Sequence, residues 1–277
     1  MPCIYCLKST EERCPRAHIF PESIFGDHDE LVLANRQVCG ACNNGFAHLE
    51  SKFKDRLGFI PMMVGMGKNK RGRPTTINAP GMRGTRDPRN PLISLNLGKR
   101  PWITAEGVHV RPAVNLGERI TFSHGERGPG GYRFRFVQEM RVDDVLIRIL
   151  TKIAFETVCL LRGAEYCADL RWHRLRAFIL RSEGKRAYFM PKTLSMPTAA
   201  NGGVSVPVGI SLLPVRVRTD RDWMEEWLAA VRVGPSFLLD ISPENLVLPT
   251  LLEAMPTQAR DAGFLKTCEG KPTVQAA

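Results

Sequence analysis

The chain has 277 residues, 43% hydrophobic and 24% charged, an ordinary globular balance with enough length for one large core or two modest ones. No apolar run reaches the length of a membrane span, and no basic-then-apolar leader opens the sequence, so a protein of the reducing cytoplasm, with no membrane partner, is expected. The net charge of +11 is unevenly placed: residues 1–51 carry four basic against seven acidic side chains, residues 52–140 seventeen against six, and residues 141–277 eighteen against fifteen. An excess of cations confined to one stretch suits a phosphate backbone, although a basic surface needs no partner to exist.

Residues 1–58 read as one compact unit. It opens on Cys3-Ile-Tyr-Cys6, continues through a short strand at Ala17–Phe20 stopped by Pro21, and crosses a loop holding Gly26, Asp27, His28 and Asp29. A second strand covers Leu31–Val38. Cys39-Gly-Ala-Cys42 then opens a helix from about Asn43 to Leu57, with Phe46, Leu49, Phe53 and Leu57 at helical spacing and Gly58 as its stop. Two cysteines three apart lie on a tight turn and can aim both thiolates at one ion. Two such turns supply the tetrahedral sulfur set that structural zinc prefers. An iron–sulfur cluster also takes four cysteines, but the surrounding sequence favours zinc. Cys14, Cys159, Cys167 and Cys268 are scattered, as buried or incidental thiols are.

Residues 59–140 are rich in Gly, Pro and Arg, with strand-like pieces at Leu92–Leu97, Trp102–Thr104, Val108–Val110, Arg119–Ser123 and Tyr132–Val137. The last alternates Tyr-Arg-Phe-Arg-Phe, which puts Arg133 and Arg135 on one face. Lys70-Arg-Gly-Arg-Pro74 resembles the core of an AT-hook, and Lys68, Lys70, Arg71 and Arg73 are the candidates for contacts to a DNA backbone. From residue 141 a long helix is expected over about Asp143–Leu161, with Val145, Ile149, Ile153 and Leu160 near one face and Gly163 as its stop. A second helix covers Leu170–Arg181. The tail alternates strands at Val204–Leu213 and Phe237–Ile241 with a helix near Asp220–Val231, and its last dozen residues fray. Trp172, Trp223 and Trp227 fall on predicted helices as core or interface residues. No phosphate-binding glycine loop and no nucleophile elbow is present.

The combination of Cys3 and Cys6, His18-Ile-Phe-Pro21 and Cys39-Gly-Ala-Cys42-Asn43 resembles the HNH endonucleases in their zinc-stapled form. The likeness covers about the first fifth of the chain. A weaker echo runs through Thr151-Lys-Ile-Ala-Phe155, Gly163, Glu165 and Leu175-Arg-Ala-Phe-Ile179. The resemblance implies a zinc-bound ββα-metal module of treble-clef-like form at 1–58; with the elements read above, the chain is expected to be α+β, that module followed by a basic β-rich region at 59–140 and an α+β portion of unassigned role at 141–277. It implies a DNA phosphodiester hydrolase of bacterial or phage origin, with homodimerisation left open. His18 would be the general base, Asn35 an orienting residue, and Asn43 a holder of catalytic Mg²⁺ or Mn²⁺, with His48 as a further ligand. One position departs from the pattern: the acidic ligand that precedes the histidine is Ala17 here. Glu22, Asp27, Asp29 and Glu50 are the carboxylates within sequence reach. The alternative is a zinc-stabilised DNA-binding regulator or sensor with an inactive site, and beyond it a protein-interaction module whose basic segment is incidental.

Overall fold

A computed structural model describes residues 1–9, 16–25, 31–33, 36–57, 75–79, 82–86, 93–96, 102–104, 107–109, 120–128, 131–138, 142–191, 208–218, 222–257, 261 and 263–269. In chain order its elements are β1 (Ala17–His18), α1 (Glu22–Phe25), β2 (Val32–Leu33), α2 (Gly40–Gly45), α3 (Ala47–Leu57), β3 (Thr75–Ala79), β4 (Met82–Arg86), β5 (Ile93–Asn96), β6 (Trp102–Thr104) and β7 (Gly107–His109). Then follow β8 (Ile120–Gly128), β9 (Gly131–Gln138), α4 (Asp144–Arg162), α5 (Ala164–Ala168), a 3₁₀ turn at Leu170–Trp172, α6 (His173–Arg181), β10 (Lys185–Pro191), β11 (Val208–Arg218), β12 (Trp223–Val233), β13 (Ser236–Asp240), α7 (Val247–Ala254) and β14 (Gly263–Glu269). The fold class is α+β. No helix among the described residues is long and apolar enough to cross a membrane.

The chain divides into two units: residues 1–21, 27–53 and 143–277 form one, residues 22–26 and 54–142 the other. The second unit holds a three-stranded sheet in the order β3-β4-β5 and two hairpins, β6-β7 and β8-β9, all antiparallel. A register shift between Ser123 and Gly125 marks one extra residue on β8 in the β8-β9 hairpin.

In the first unit α4 is the central helix. The Asp143 carboxylate accepts from the Leu146 N–H at 3.2 Å and caps its start, and Gly163 at φ 88° ends it. The expected apolar stripe is wider than one face: every residue from Val145 to Cys159 except Arg148 is buried, so the helix is covered on several sides. Leu160, expected on the inner face, is exposed. Arg148, the interruption, donates to the carbonyls of Ile179 and Leu180 and so ties α4 to the end of α6.

A five-stranded antiparallel sheet in the order β11-β12-β13-β10-β14 completes this unit. Ala187 and Leu228 on it pack with Val247, Leu248 and Leu252 of α7. The helix expected near Asp220–Val231 is strand β12 instead. Met, Glu, Leu and Ala favour a helix locally, but β12 lies between β11 and β13, and eleven residues pair with β11 from Trp223 opposite Arg218 to Val233 opposite Val208. Tertiary pairing outweighs a preference of a few tenths of a kcal/mol per residue. Trp223 and Trp227 are therefore strand residues, the first exposed and the second buried. Pro214 is tolerated within β11 because that strand is an edge.

Candidate metal centre

The first cysteine turn is closed by its own backbone. Leu7 N–H donates to the Cys3 carbonyl at 3.0 Å and Cys3 N–H to the Lys8 carbonyl at 2.9 Å, while Leu7 takes the left-handed conformation at φ 61°. The Ile4 N–H then donates to the Gln37 carbonyl at 3.0 Å, which ties this turn to the approach of the second. The second turn is the start of a helix. Cys39 is the N-cap of α2: its thiol accepts from the Cys42 N–H at 3.4 Å, and its carbonyl accepts from the Asn43 N–H at 2.9 Å. The Cys39 N–H reaches across to the Cys3 sulfur at 3.3 Å.

These constraints gather four thiols. The sulfur atoms of Cys3, Cys6, Cys39 and Cys42 all lie within 4.8 Å of one another, and Cys6 Sγ is 3.7 Å from Cys39 Sγ. Four sulfurs around zinc at about 2.3 Å stand about 3.8 Å apart at the corners of a tetrahedron. The cluster therefore fits a zinc ion in both spacing and donor type. Its electrostatics are prepared for a thiolate: the hydrogen bond from Cys42, helped by backbone N–H groups and opposed by burial, lowers Cys3 to about 4. The Cys42 thiol, donor in that bond, is raised by it, and burial raises Cys6. Among the described residues this is the one group of three or more His, Cys, Asp and Glu close enough to hold a metal.

The histidine strand lies in the same unit. β1 pairs antiparallel with β2, Ala17 opposite Leu33 and His18 opposite Val32, and the Ile19 N–H extends the ladder to the Leu31 carbonyl at 3.0 Å. His18 is half-buried. Ala17 is buried, so the position where the nuclease pattern carries an acid is an apolar one here.

The expected single helix from Asn43 to Leu57 is two helices, α2 and α3, parted at Phe46. Phe46 caps α2 through its N–H and packs edge-on against Tyr5, with ring centroids 4.9 Å apart. Asn43 is half-buried on α2, whereas Asn44 and His48 are exposed. Of the four carboxylates in sequence reach of His18, Glu50 is half-buried on α3, and Glu22 stands on α1 in the other unit. Asp27, Asp29, Asn35, Lys68, Lys70, Arg71 and Arg73 lie outside the described residues.

A buried polar cluster links this module to α4. Lys152 Nζ stands 2.8 Å from Glu156 Oε2, 3.8 Å from Glu50 Oε1 and 3.4 Å from the His18 carbonyl, to which it donates, and it lies over the Phe46 ring. Glu156 Oε1 accepts from the Tyr5 hydroxyl at 2.7 Å. Lys152, Glu156 and Tyr5 are all at most 2% exposed. A lone ammonium at that depth would shed its proton, and a lone carboxylate would take one up. Together each supplies the counter-charge of the other. Burial pushes the Glu156 carboxyl up, with Lys152 and the Tyr5 hydroxyl pulling it back, and it pushes Glu50 up against the pull of Lys152 and His18. Burial and the neighbouring Glu156 raise Tyr5 well above an ordinary phenol.

Tyr5, Lys152 and Glu156 were not among the residues expected at the site. A signal for two of them is present in the sequence: Lys152 and Glu156 are charges four apart inside a helix whose other residues from Val145 to Cys159 are almost all apolar or small. Charges there must be paired. No protein-family model, no curated protein and no solved structure matches this chain.

Proposed function

We propose that the protein is a metal-dependent DNA endonuclease of the HNH type, with the cysteine module as a zinc-stapled, treble-clef-like ββα-metal scaffold. The observation that carries the reading is the joining of the four-sulfur cluster to both a paired histidine strand and a helix opened by its second cysteine turn. In this reading His18 is the general base that takes a proton from the attacking water. Asn43, at the end of the scaffold fixed by Cys39 and Cys42, is the amide that helps hold a divalent ion such as Mg²⁺ or Mn²⁺. That ion, when bound, would polarise the scissile phosphate and offset charge on the leaving 3′ oxygen. The basic segment carrying Lys68, Lys70, Arg71 and Arg73 is the part proposed to meet the DNA backbone, because the excess positive charge of the chain is concentrated there.

The test is plasmid DNA with Mg²⁺ or Mn²⁺, set beside His18→Ala. Cleavage by the parent protein that the variant loses supports the nuclease. A second reading rests on Ala17: a buried methyl where the pattern places an acid favours a zinc-stabilised DNA-binding regulator without catalysis. Salt-dependent DNA binding with no cutting under either metal selects that reading.

A further inference from the structure

We infer that Lys152 is a positioning residue for the His18 site, its ammonium joining the His18 backbone to the Glu50 carboxylate from a helix outside the cysteine module. The inference rests on the nuclease reading for its functional half and on geometry alone for its structural half.

β1 is two residues long, and its ladder with β2 has little to resist sliding or fraying. Lys152 adds a fixed point from outside the ladder by donating to the His18 carbonyl at 3.4 Å, 134 positions away in sequence. The same ammonium lies 3.8 Å from Glu50 on α3, the helix that continues the scaffold of Asn43. One cation thus spans the two segments that the proposed chemistry has to keep in register. Its own place is fixed from below: Glu156 holds it at 2.8 Å, the Tyr5 hydroxyl holds Glu156 at 2.7 Å, and Tyr5 lies between two zinc-cluster cysteines in sequence. The cluster, the histidine strand and α4 are in this way coupled through one buried chain of charge-assisted hydrogen bonds.

Glu50 also answers what Ala17 leaves open. Among the described residues Glu50 and Glu156 both share Lys152 with the histidine strand, and of the two Glu50 is the half-buried one, on α3 of the cysteine module. Lys152 lies 3.8 Å from the Glu50 carboxylate and so fixes where it points. A cation buried to 1% exposure does not reach a substrate, so its part is to place other groups.

The test uses the full-length, zinc-loaded protein with Lys152→Met, Lys152→Arg, Glu50→Gln and the double variant Lys152→Met/Glu50→Gln. Zinc content confirms that each variant keeps its scaffold. For plasmid cleavage, Lys152→Met lowers kcat by about 100-fold with KM within about twofold, a loss of the size that misplaced reacting groups produce. Lys152→Arg restores much of that rate, and the double variant loses less than the product of the two single losses. The second readout needs no activity. In ¹⁵N-labelled protein, the Ile19 amide, bonded to the His18 carbonyl carbon, shifts on Lys152→Met and exchanges its proton at least tenfold faster, while amides of the second cysteine turn stay in place. Unchanged kcat in Lys152→Met overturns the positioning role. An unmoved Ile19 amide overturns the link itself. A parent protein inert toward DNA refutes the nuclease reading instead, and the Ile19 amide then decides whether Lys152 holds the strand.

Discussion

Replacing Cys39 by serine tests how much of the fold hangs on the four sulfurs. Cys39 has three parts in the structure: it is 3.7 Å from Cys6 Sγ in the cluster, its sulfur accepts from the Cys42 N–H, and it caps α2. A serine can still cap, so the lost part is the metal bond. Structural zinc contributes about 10–16 kcal/mol of apparent binding free energy at neutral pH, or roughly 3 kcal/mol per ligand if divided evenly. That is a large share of the ~5–15 kcal/mol by which domains are stable. The loss spreads, because Ile4 and Tyr5 between the first two cysteines are buried, and Tyr5 packs on Phe46 and Phe155. Cys39→Ser is expected to bind less than one zinc per chain by elemental analysis. It should also melt roughly 5–10 °C lower, the shift that ~3 kcal/mol produces in a protein of this size. Serine at Cys159, Cys167 or Cys268 should leave the metal content untouched. Full zinc content and an unchanged melt in Cys39→Ser would refute the four-cysteine site.

Three further outcomes follow from named contacts. Tyr5→Phe removes the donor to Glu156 and leaves a buried carboxylate oxygen short of a partner, so urea unfolding should show a loss of about 1–3 kcal/mol with zinc retained. Glu226 is buried with Oε2 unpartnered, and burial raises its carboxyl, so its proton is held more tightly folded than unfolded. Its contribution is fully present below the unfolded carboxyl value of about 4.3 and is lost as pH rises through the higher folded value. Glu226→Gln should therefore add about 1 kcal/mol at pH 7 and flatten the fall in stability above pH 4; a denaturation series with the parent slope retained contradicts this. A Cβ at Gly263 would stand 2.2 Å from Phe189 Cζ and 2.7 Å from the Met190 carbonyl, so Gly263→Ala should cost about 1–3 kcal/mol in the melt of the five-stranded sheet.

The parts legible in the sequence were those set by short spacing. Cys-x-x-Cys pairs place sulfurs through local turns, and α4 announces itself by an Asp143 cap, a run of apolar residues and Gly163. β12 was not legible, because its helix-favouring residues are overruled by strands paired with it across as many as 25 positions. The split of the helix after Cys42 was hidden for a similar reason: Phe46 fits a helical stripe, but it turns inward to Tyr5 at the break between α2 and α3. Lys152 and Glu156 stand four apart on α4, but only the fold shows what they are buried against, residues more than a hundred positions earlier.

The most direct measurement is plasmid cleavage by the zinc-loaded protein in Mn²⁺ and Mg²⁺, run beside His18→Ala and a metal-free control. The nuclease account predicts nicked or linear product from the parent protein, dependent on the added divalent ion and abolished by the substitution. Intact plasmid from a parent protein that retains its zinc, or cleavage that survives His18→Ala, would contradict it.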